Sequence, residues 1–154
     1  MKGGGYYSQS TRGAKDVIDN ASGMLMEAVA ALPEPAAGRA IQIADYGAAD
    51  GGTSKKTIRD TVAALRERFP GRQILVTYTD LASNDFSTLF KSMQGLDGQT
   101  ENTYLNEFDG VFVHACGIGF HHQLLPDETL DVGFSATAMH YVSEKPCEIP
   151  NHVH

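Results

Sequence analysis

The stretch Ile41-Gln42-Ile43-Ala44-Asp45-Tyr46-Gly47-Ala48-Ala49-Asp50-Gly51-Gly52-Thr53-Ser54 constrains this chain more than any other. Residues of strand composition run into an aspartate and a glycine-rich turn. Thr53 or Ser54 can then cap a helix whose apolar positions follow at Ile58, Val62, Leu65 and Phe69. The pattern is strand, turn, helix. Such a unit makes a ligand crevice at the carboxyl edge of a parallel sheet, under the helix N-terminus, and predicts an α/β fold.

Which ligand fits depends on the glycines. A dinucleotide fingerprint takes G-x-G-x-x-G, because its second glycine lets the backbone approach a pyrophosphate that then rests on the helix dipole. Here Gly47, Ala49 and Gly52 occupy those places, so a methyl group stands at the point of closest approach. Asp45 and Asp50 add negative charge where phosphate would lie, which disfavours a nicotinamide cofactor. A phosphate-free cofactor with a positive centre suits the turn, and this points to S-adenosylmethionine. A carboxylate at the strand end can take its ammonium group, and a second should close the next strand. Ile74-Leu75-Val76-Thr77-Tyr78-Thr79 does end in Asp80, whose oxygens could accept both ribose hydroxyls. Taken alone, Asp45 and Asp80 also read as ordinary strand-end acids.

At 154 residues the chain has one domain's length, enough to bury ~70% of its unfolded surface. A formal net charge of −7 and scattered basic residues argue against a surface built for nucleic acid or anionic membrane. Cys116 and Cys147 make no disulfide framework, and no apolar run of signal or transmembrane length follows Met1, so a reduced, cytoplasmic setting is expected. His114, Cys116, His121, His122 and His140, or Cys147, His152 and His154, lack the tight paired spacing of zinc motifs. No metal is therefore expected.

In chain order, a polar, glycine-rich arm over residues 1–15 precedes a helix from about Asp16, with Val17, Ala21, Met24, Ala28 and Leu32 on one face. Pro33 and Pro35 stop it. Phe69-Pro70-Gly71 ends the helix after the turn, and Leu81 to Asp85 cap a short helix carrying Phe86, Leu89, Phe90 and Met93 as core residues. From Gln94 to Glu107 a surface loop is predicted. A third strand, Gly110 to Ala115, enters the turn Gly117-Ile118-Gly119, and a fourth runs from near Thr129 to Phe134. Residues 16–146 thus form one α/β domain, with a tail at 147–154.

These residues together resemble the N-terminal half of the plant-type carboxyl methyltransferases, the family of salicylate, benzoate and jasmonate methyltransferases and the xanthine N-methyltransferases. Met1-Lys2-Gly3-Gly4-Gly5 with Tyr7 resembles M-x-G-G-x-G followed by tyrosine, and Ile43 to Gly47 resembles I-A-D-L-G. Asp80-Leu81-Ala82-Ser83-Asn84-Asp85-Phe86 with Leu89-Phe90 resembles N-D-L-P-x-N-D-F-N-x-L-F, the most specific segment. Gly119-Phe120 leading to Leu125-Pro126 resembles G-S-F-Y-x-R-L-F-P, and Ser135 to Pro146 resembles S-S-Y-S-L-H-W-L-S-x-x-P.

The resemblance implies a Rossmann-like class I methyltransferase sheet, here its first four parallel strands with flanking helices, the first and fourth strands adjacent. It implies that Tyr7 lies over the sulfonium, that Asp45 takes the ammonium, and that Gly47 and Gly51 of the turn bind the cofactor. Asp80 would hold the ribose, Leu81 pack on the adenine, and Phe120 stack on it beside Gly119, where the family usually has serine. His140 and Tyr141 match the family's His-Trp pair beside the acceptor carboxylate; without the resemblance, His140 reads equally as a core histidine. The implied reaction is in-line methyl transfer to a small-molecule carboxylate. With a reference pKa near ~4 the acceptor is already ionised, so no catalytic base is assigned.

Some positions depart from the family. Ala14 stands where a substrate-binding glutamine is usual, Tyr141 replaces tryptophan, and Thr53 replaces asparagine. The family continues with further strands and a helical cap, so a truncated or partnered chain is expected, with a homodimer the implied assembly. Open alternatives are a non-catalytic S-adenosylmethionine-binding fragment that needs a partner or the missing half, and an N-methyltransferase acting on a small heterocycle.

Overall fold

The structure, a computed structural model, describes residues 12–98, 100–101, 103–144 and 147, and the side chains of 12–16 and 19 fall outside that description. The elements are α1 (Arg12–Ala31), β1 (Ile41–Tyr46), α2 (Lys55–Arg68), β2 (Ile74–Thr79), α3 (Phe86–Met93), α4 (Tyr104–Glu107), β3 (Val111–Cys116) and β4 (Val132–Phe134). No described helix is long and apolar enough to cross a membrane.

The strands form one parallel sheet in the order β3-β2-β1-β4, with the first and fourth strands neighbours as expected. β1 and β2 lie in the middle. Ile41, Ile43, Ile74 and Val76 are at most 1% exposed there, which is why both strands read as nearly continuous apolar runs. β3 alternates half-buried and exposed residues, in keeping with its place at an edge. In register, Asp45 lies beside Tyr78 and Tyr46 beside Thr79, so the carboxyl ends of β1 and β2 finish level.

β4 is only three residues long, and side chains hold it in place. Arg39 grips Asp131 through both terminal guanidinium nitrogens, at 2.8 and 2.6 Å, and also donates to the Thr129 carbonyl. Asp131 accepts further from the Gln42 N–H at 2.8 Å. A forked, charge-assisted pair of this kind fixes orientation as well as distance. It docks the segment entering β4 against the start of β1.

α2 and α3 bury the faces their periodicity predicts: Ile58, Val62, Leu65, Leu89 and Met93 are fully buried, with Phe69, Phe86 and Phe90 packed beside them. Asp85 caps α3, accepting from the Thr88 N–H and hydroxyl at 3.0 and 2.7 Å.

α1 differs from expectation in two respects. It begins at Arg12, so residues 12–15 of the expected arm are helical, while residues 1–11 lie outside the described ones. Its buried stripe is also one residue out of step. Ile18 and Val29 are buried and Leu25 packs on the core with Leu32 of the expected face, whereas Val17 and Met24 are 57% and 69% exposed and Ala28 is exposed. Both stripes have helical spacing. The one carrying Ile, Leu and Val removes more apolar area from water than the one carrying two alanines, and it wins.

The segment after α3 also needs correction. Within the stretch expected to be a surface loop, Tyr104 is fully buried at the start of α4. Its hydroxyl lies 2.9 Å from that of Tyr78, with the Met93 sulfur beside both. One aromatic anchor inside a polar segment leaves no periodic signal, because periodicity needs several apolar residues. Tyr104→Phe, which removes one buried hydroxyl partner, should cost about 1–2 kcal/mol in urea denaturation. Tyr104→Ala, which opens a cavity, should cost about 3–5 kcal/mol.

Candidate functional site

The turn after β1 is bonded to the end of β2. The N–H groups of Gly47 and Ala48 both donate to the Thr79 carbonyl, at 2.9 and 3.0 Å, and the Gly51 N–H donates back to Ala48 at 2.8 Å. Gly47 has φ +78°, and a Cβ there would sit 2.4 Å from that of Ala138, so the loop after β4 closes directly upon it. Gly51, at φ +73°, faces the other way and packs over Met93 and Leu89. Ala49 adopts φ +50°, unusual for a residue with a side chain. Its two backbone groups offset that strain: its N–H donates to Asp80 Oδ2 at 2.7 Å, and its carbonyl accepts from Asn84 Nδ2 at 2.6 Å.

Asp80 is 8% exposed, and its other oxygen accepts from the Leu81 N–H at 2.7 Å. A carboxylate has about four acceptor positions, so two committed bonds leave capacity for a ligand. Asp80 lines a cavity of about 610 Å³ over the carboxyl ends of the central strands. Gly47 and Ala49 form its floor beside Asp80, Leu81 and Gly119-Phe120 one wall, and the segment 136–142 the other. Size and position suit a cofactor-scale ligand in a parallel α/β sheet. Among the described residues, no group of three His, Cys, Asp or Glu side chains could hold a metal ion.

The model of a family described as SAM dependent carboxyl methyltransferases matches residues 1–153. The chain belongs to that carboxyl methyltransferase family. Methyltransferase FUS9 of Gibberella moniliformis is 26% identical over 147 residues, which are 95% of this chain and 39% of that protein. The farnesoic acid carboxyl-O-methyltransferase of Arabidopsis thaliana is 26% identical over 117 residues, covering 71% of this chain and 31% of its own length. A solved loganic acid methyltransferase with SAH superposes at TM-score 0.74 and 23% identity, covering 94% of this chain and 41% of its own, so the fold is shared. The chain spans well under half the length of these relatives and matches their N-terminal part.

Of the positions taken from the family, Gly47, Asp80, Leu81, Gly119, Phe120, His140 and Tyr141 all line the one cavity. Tyr7 lies outside the described residues, and Ala14 is in the first turn of α1 with its side chain likewise outside them. Gly51 supports the turn from beneath and does not face the cavity.

Asp45 is placed otherwise than expected. It is 2% exposed and does not line the cavity, and its Oδ2 accepts from the Ser54 hydroxyl at 2.5 Å. Ser54 occupies the N-cap position of α2 but makes no side-chain cap, because its hydroxyl is turned to Asp45. Burial pushes the Asp45 carboxyl up to about 7, the Ser54 bond opposes this, and the negative charge of Asp80 adds to it. When protonated, Asp45 can donate to Ser54, whose own proton then turns to the Gly51 carbonyl 3.3 Å away. Asp45 thus supports the turn from inside the sheet.

Other lining residues lie within the family motifs without an assigned role. Ser83, His121, Thr137 and Ala138 join the cavity walls. The His121 ring bonds the Tyr141 carbonyl, a contact between segments twenty residues apart that carries no local pattern.

Gly47→Ala should lower stability by more than ~1 kcal/mol, since it combines a left-handed backbone with an overlap against Ala138; thermal denaturation measures it. For Asp45, the unfolded carboxyl ionises near the ordinary value of 3.8 and the folded one at about 7. Between those values the folded state keeps a proton that the unfolded state has released, so the Asp45 contribution to stability falls as pH rises through the window, by a few kcal/mol at most. The stability difference between wild type and Asp45→Asn, followed by urea denaturation at pH 4.5, 6 and 8, should shift in favour of the variant as pH rises.

Proposed function

We propose that this chain carries the cofactor half of an S-adenosylmethionine-dependent methyltransferase that moves a methyl group to the carboxylate of a small molecule. The observation that carries the reading is Asp80: a nearly buried carboxylate at the tip of β2, held by two backbone N–H groups and facing a cavity between a glycine turn and Phe120. Family membership and the methyltransferase relatives support it.

The residues fit such a cofactor. Asp80 retains acceptor capacity for ribose hydroxyls, and Leu81, 58% exposed, offers apolar surface to a base on the same wall as Phe120. Gly119 leaves Leu81 room: a Cβ there would stand 3.2 Å from Leu81 Cδ2. The Ala49 methyl on the cavity floor disfavours a pyrophosphate and is harmless to a ligand without one. When bound, the cofactor supplies an electrophilic methyl group on a positively charged sulfur. The chain's residues contribute orientation and exclusion of water, and an acceptor carboxylate is already ionised at neutral pH. His140 and Tyr141, rings 4.2 Å apart, stand on the wall assigned to the acceptor. Tyr141 offers a phenolic O–H where the family motif has an indole N–H.

Calorimetric titration with S-adenosylhomocysteine tests the reading. The parent chain should bind it. Asp80→Asn, which keeps the shape and removes the charge, should weaken binding roughly 10- to 100-fold, the range for losing hydrogen bonds to a charged group. No heat from the parent, or equal affinity in the variant, would overturn the assignment. Product formation from a panel of small carboxylic acids then tests the acceptor class.

A further inference from the structure

β3 and β4 stand at opposite ends of the sheet, yet the loops that follow them meet over the strands between. A Cβ built on Gly47 would have Phe120 of one loop and Ala138 of the other within 4 Å. The loop after β4 has little burial to hold it there. Met139, Tyr141 and Val142 are each more than half exposed, and His140 is exposed as well. Its start is tied down by Ser135, whose hydroxyl donates to the Tyr46 carbonyl at 2.9 Å, and by Ala138 against Gly47. Beyond Ala138 it is bonded to itself, Tyr141 N–H to Ala138 and Val142 N–H to His140, both at 3.1 Å.

His121 reaches across to this far end. Its Nε2 lies 2.6 Å from the Tyr141 carbonyl oxygen, and its ring rests against Phe120 with centroids 4.8 Å apart. A carbonyl can only accept, so the proton of this bond belongs to His121 Nε2. The residue stands where the family motif G-S-F-Y-x-R-L-F-P has tyrosine.

We propose that His121 is a positioning residue whose ring straps the segment 135–142 to the loop after β3 and so sets where His140 and Tyr141 stand over the cavity. The proposal rests on the methyltransferase reading only in taking that wall as the acceptor side. His121 acts through the Tyr141 backbone, so its effect falls on the placement of the wall. With Tyr141 and Val142 mostly exposed, one bond of ordinary strength is a large share of what restrains them.

Amide hydrogen exchange on the full chain tests the strap. His121→Phe keeps an aromatic ring beside Phe120 and removes the donor; exchange at the Tyr141 and Val142 amides should rise roughly fivefold, the effect of losing one such bond. His121→Gln, whose side-chain amide can donate from nearly the same place, should restore protection. Exchange in β1 and β2 should stay at the parent rate in both variants. Unchanged exchange at 141–142 in the Phe variant, or equal acceleration in both variants, would overturn the proposal. If the Phe variant loses β1 and β2 protection, Gln against Asn makes the same comparison, because the shorter Asn amide stops short of the carbonyl. Absence of S-adenosylhomocysteine binding by the parent would remove the methyltransferase reading and leave the exchange result to decide the strap.

Discussion

Each oxygen of Asp80 takes a backbone N–H, one from Ala49 across the crevice and one from Leu81 beside it, and the rest of the site depends on that bridge. A carboxylate only 8% exposed is costly to bury unless its acceptor positions are filled. Charge-assisted bonds of this kind are worth about 1.5–3 kcal/mol each, enough to hold Ala49 in a backbone conformation that residues with side chains avoid. Asn84 completes the arrangement by donating to the Ala49 carbonyl, and Asp85 begins α3 immediately afterwards. The segment Asp80 to Asp85 therefore binds the turn, shapes the cavity floor and starts a helix within six residues. Few substitutions would satisfy all three demands, which explains why this was the most specific stretch in the sequence.

Two acids close to the ends of neighbouring strands meet different fates because of where their side chains leave the sheet. Asp80 follows the last residue of β2 and opens to the cavity. Asp45 lies within β1, registered beside Tyr78, and its carboxyl enters the layer that holds Tyr78 and Tyr104, whose hydroxyls burial raises most and the Asp45 charge raises further. Burial favours the neutral form of Asp45, while Asp80 accepts from two backbone N–H groups and lines the cavity. One acid is bonded inside the sheet and the other lines the cavity.

The cavity joins a firm side to a loosely held one. The floor and the wall of Leu81 and Phe120 grow from β1, β2 and β3, whose registers run the full length of each strand. The opposite wall follows a three-residue strand held by the Arg39–Asp131 pair, and much of its apolar surface is exposed. A wall of this kind depends on individual hydrogen bonds for its shape, which gives the His121 contact more weight than it would have inside a core.

The sequence by itself determined what depends on neighbours a few residues away. The strand, turn and helix from Ile41 onward, the full extent of β2, the Asp85 cap and the buried faces of α2 and α3 follow from local periodicity and from hydrogen bonds spanning three or four positions. The ordered motifs also placed the family, and with it the adjacency of β1 and β4. Only the tertiary structure decided which of two stripes on α1 is buried, that Tyr104 enters the core, that Ser54 turns to Asp45 and leaves α2 uncapped, and that His121 meets Tyr141. Each of these is a choice between locally equivalent options, settled by a partner brought close when the sheet assembles.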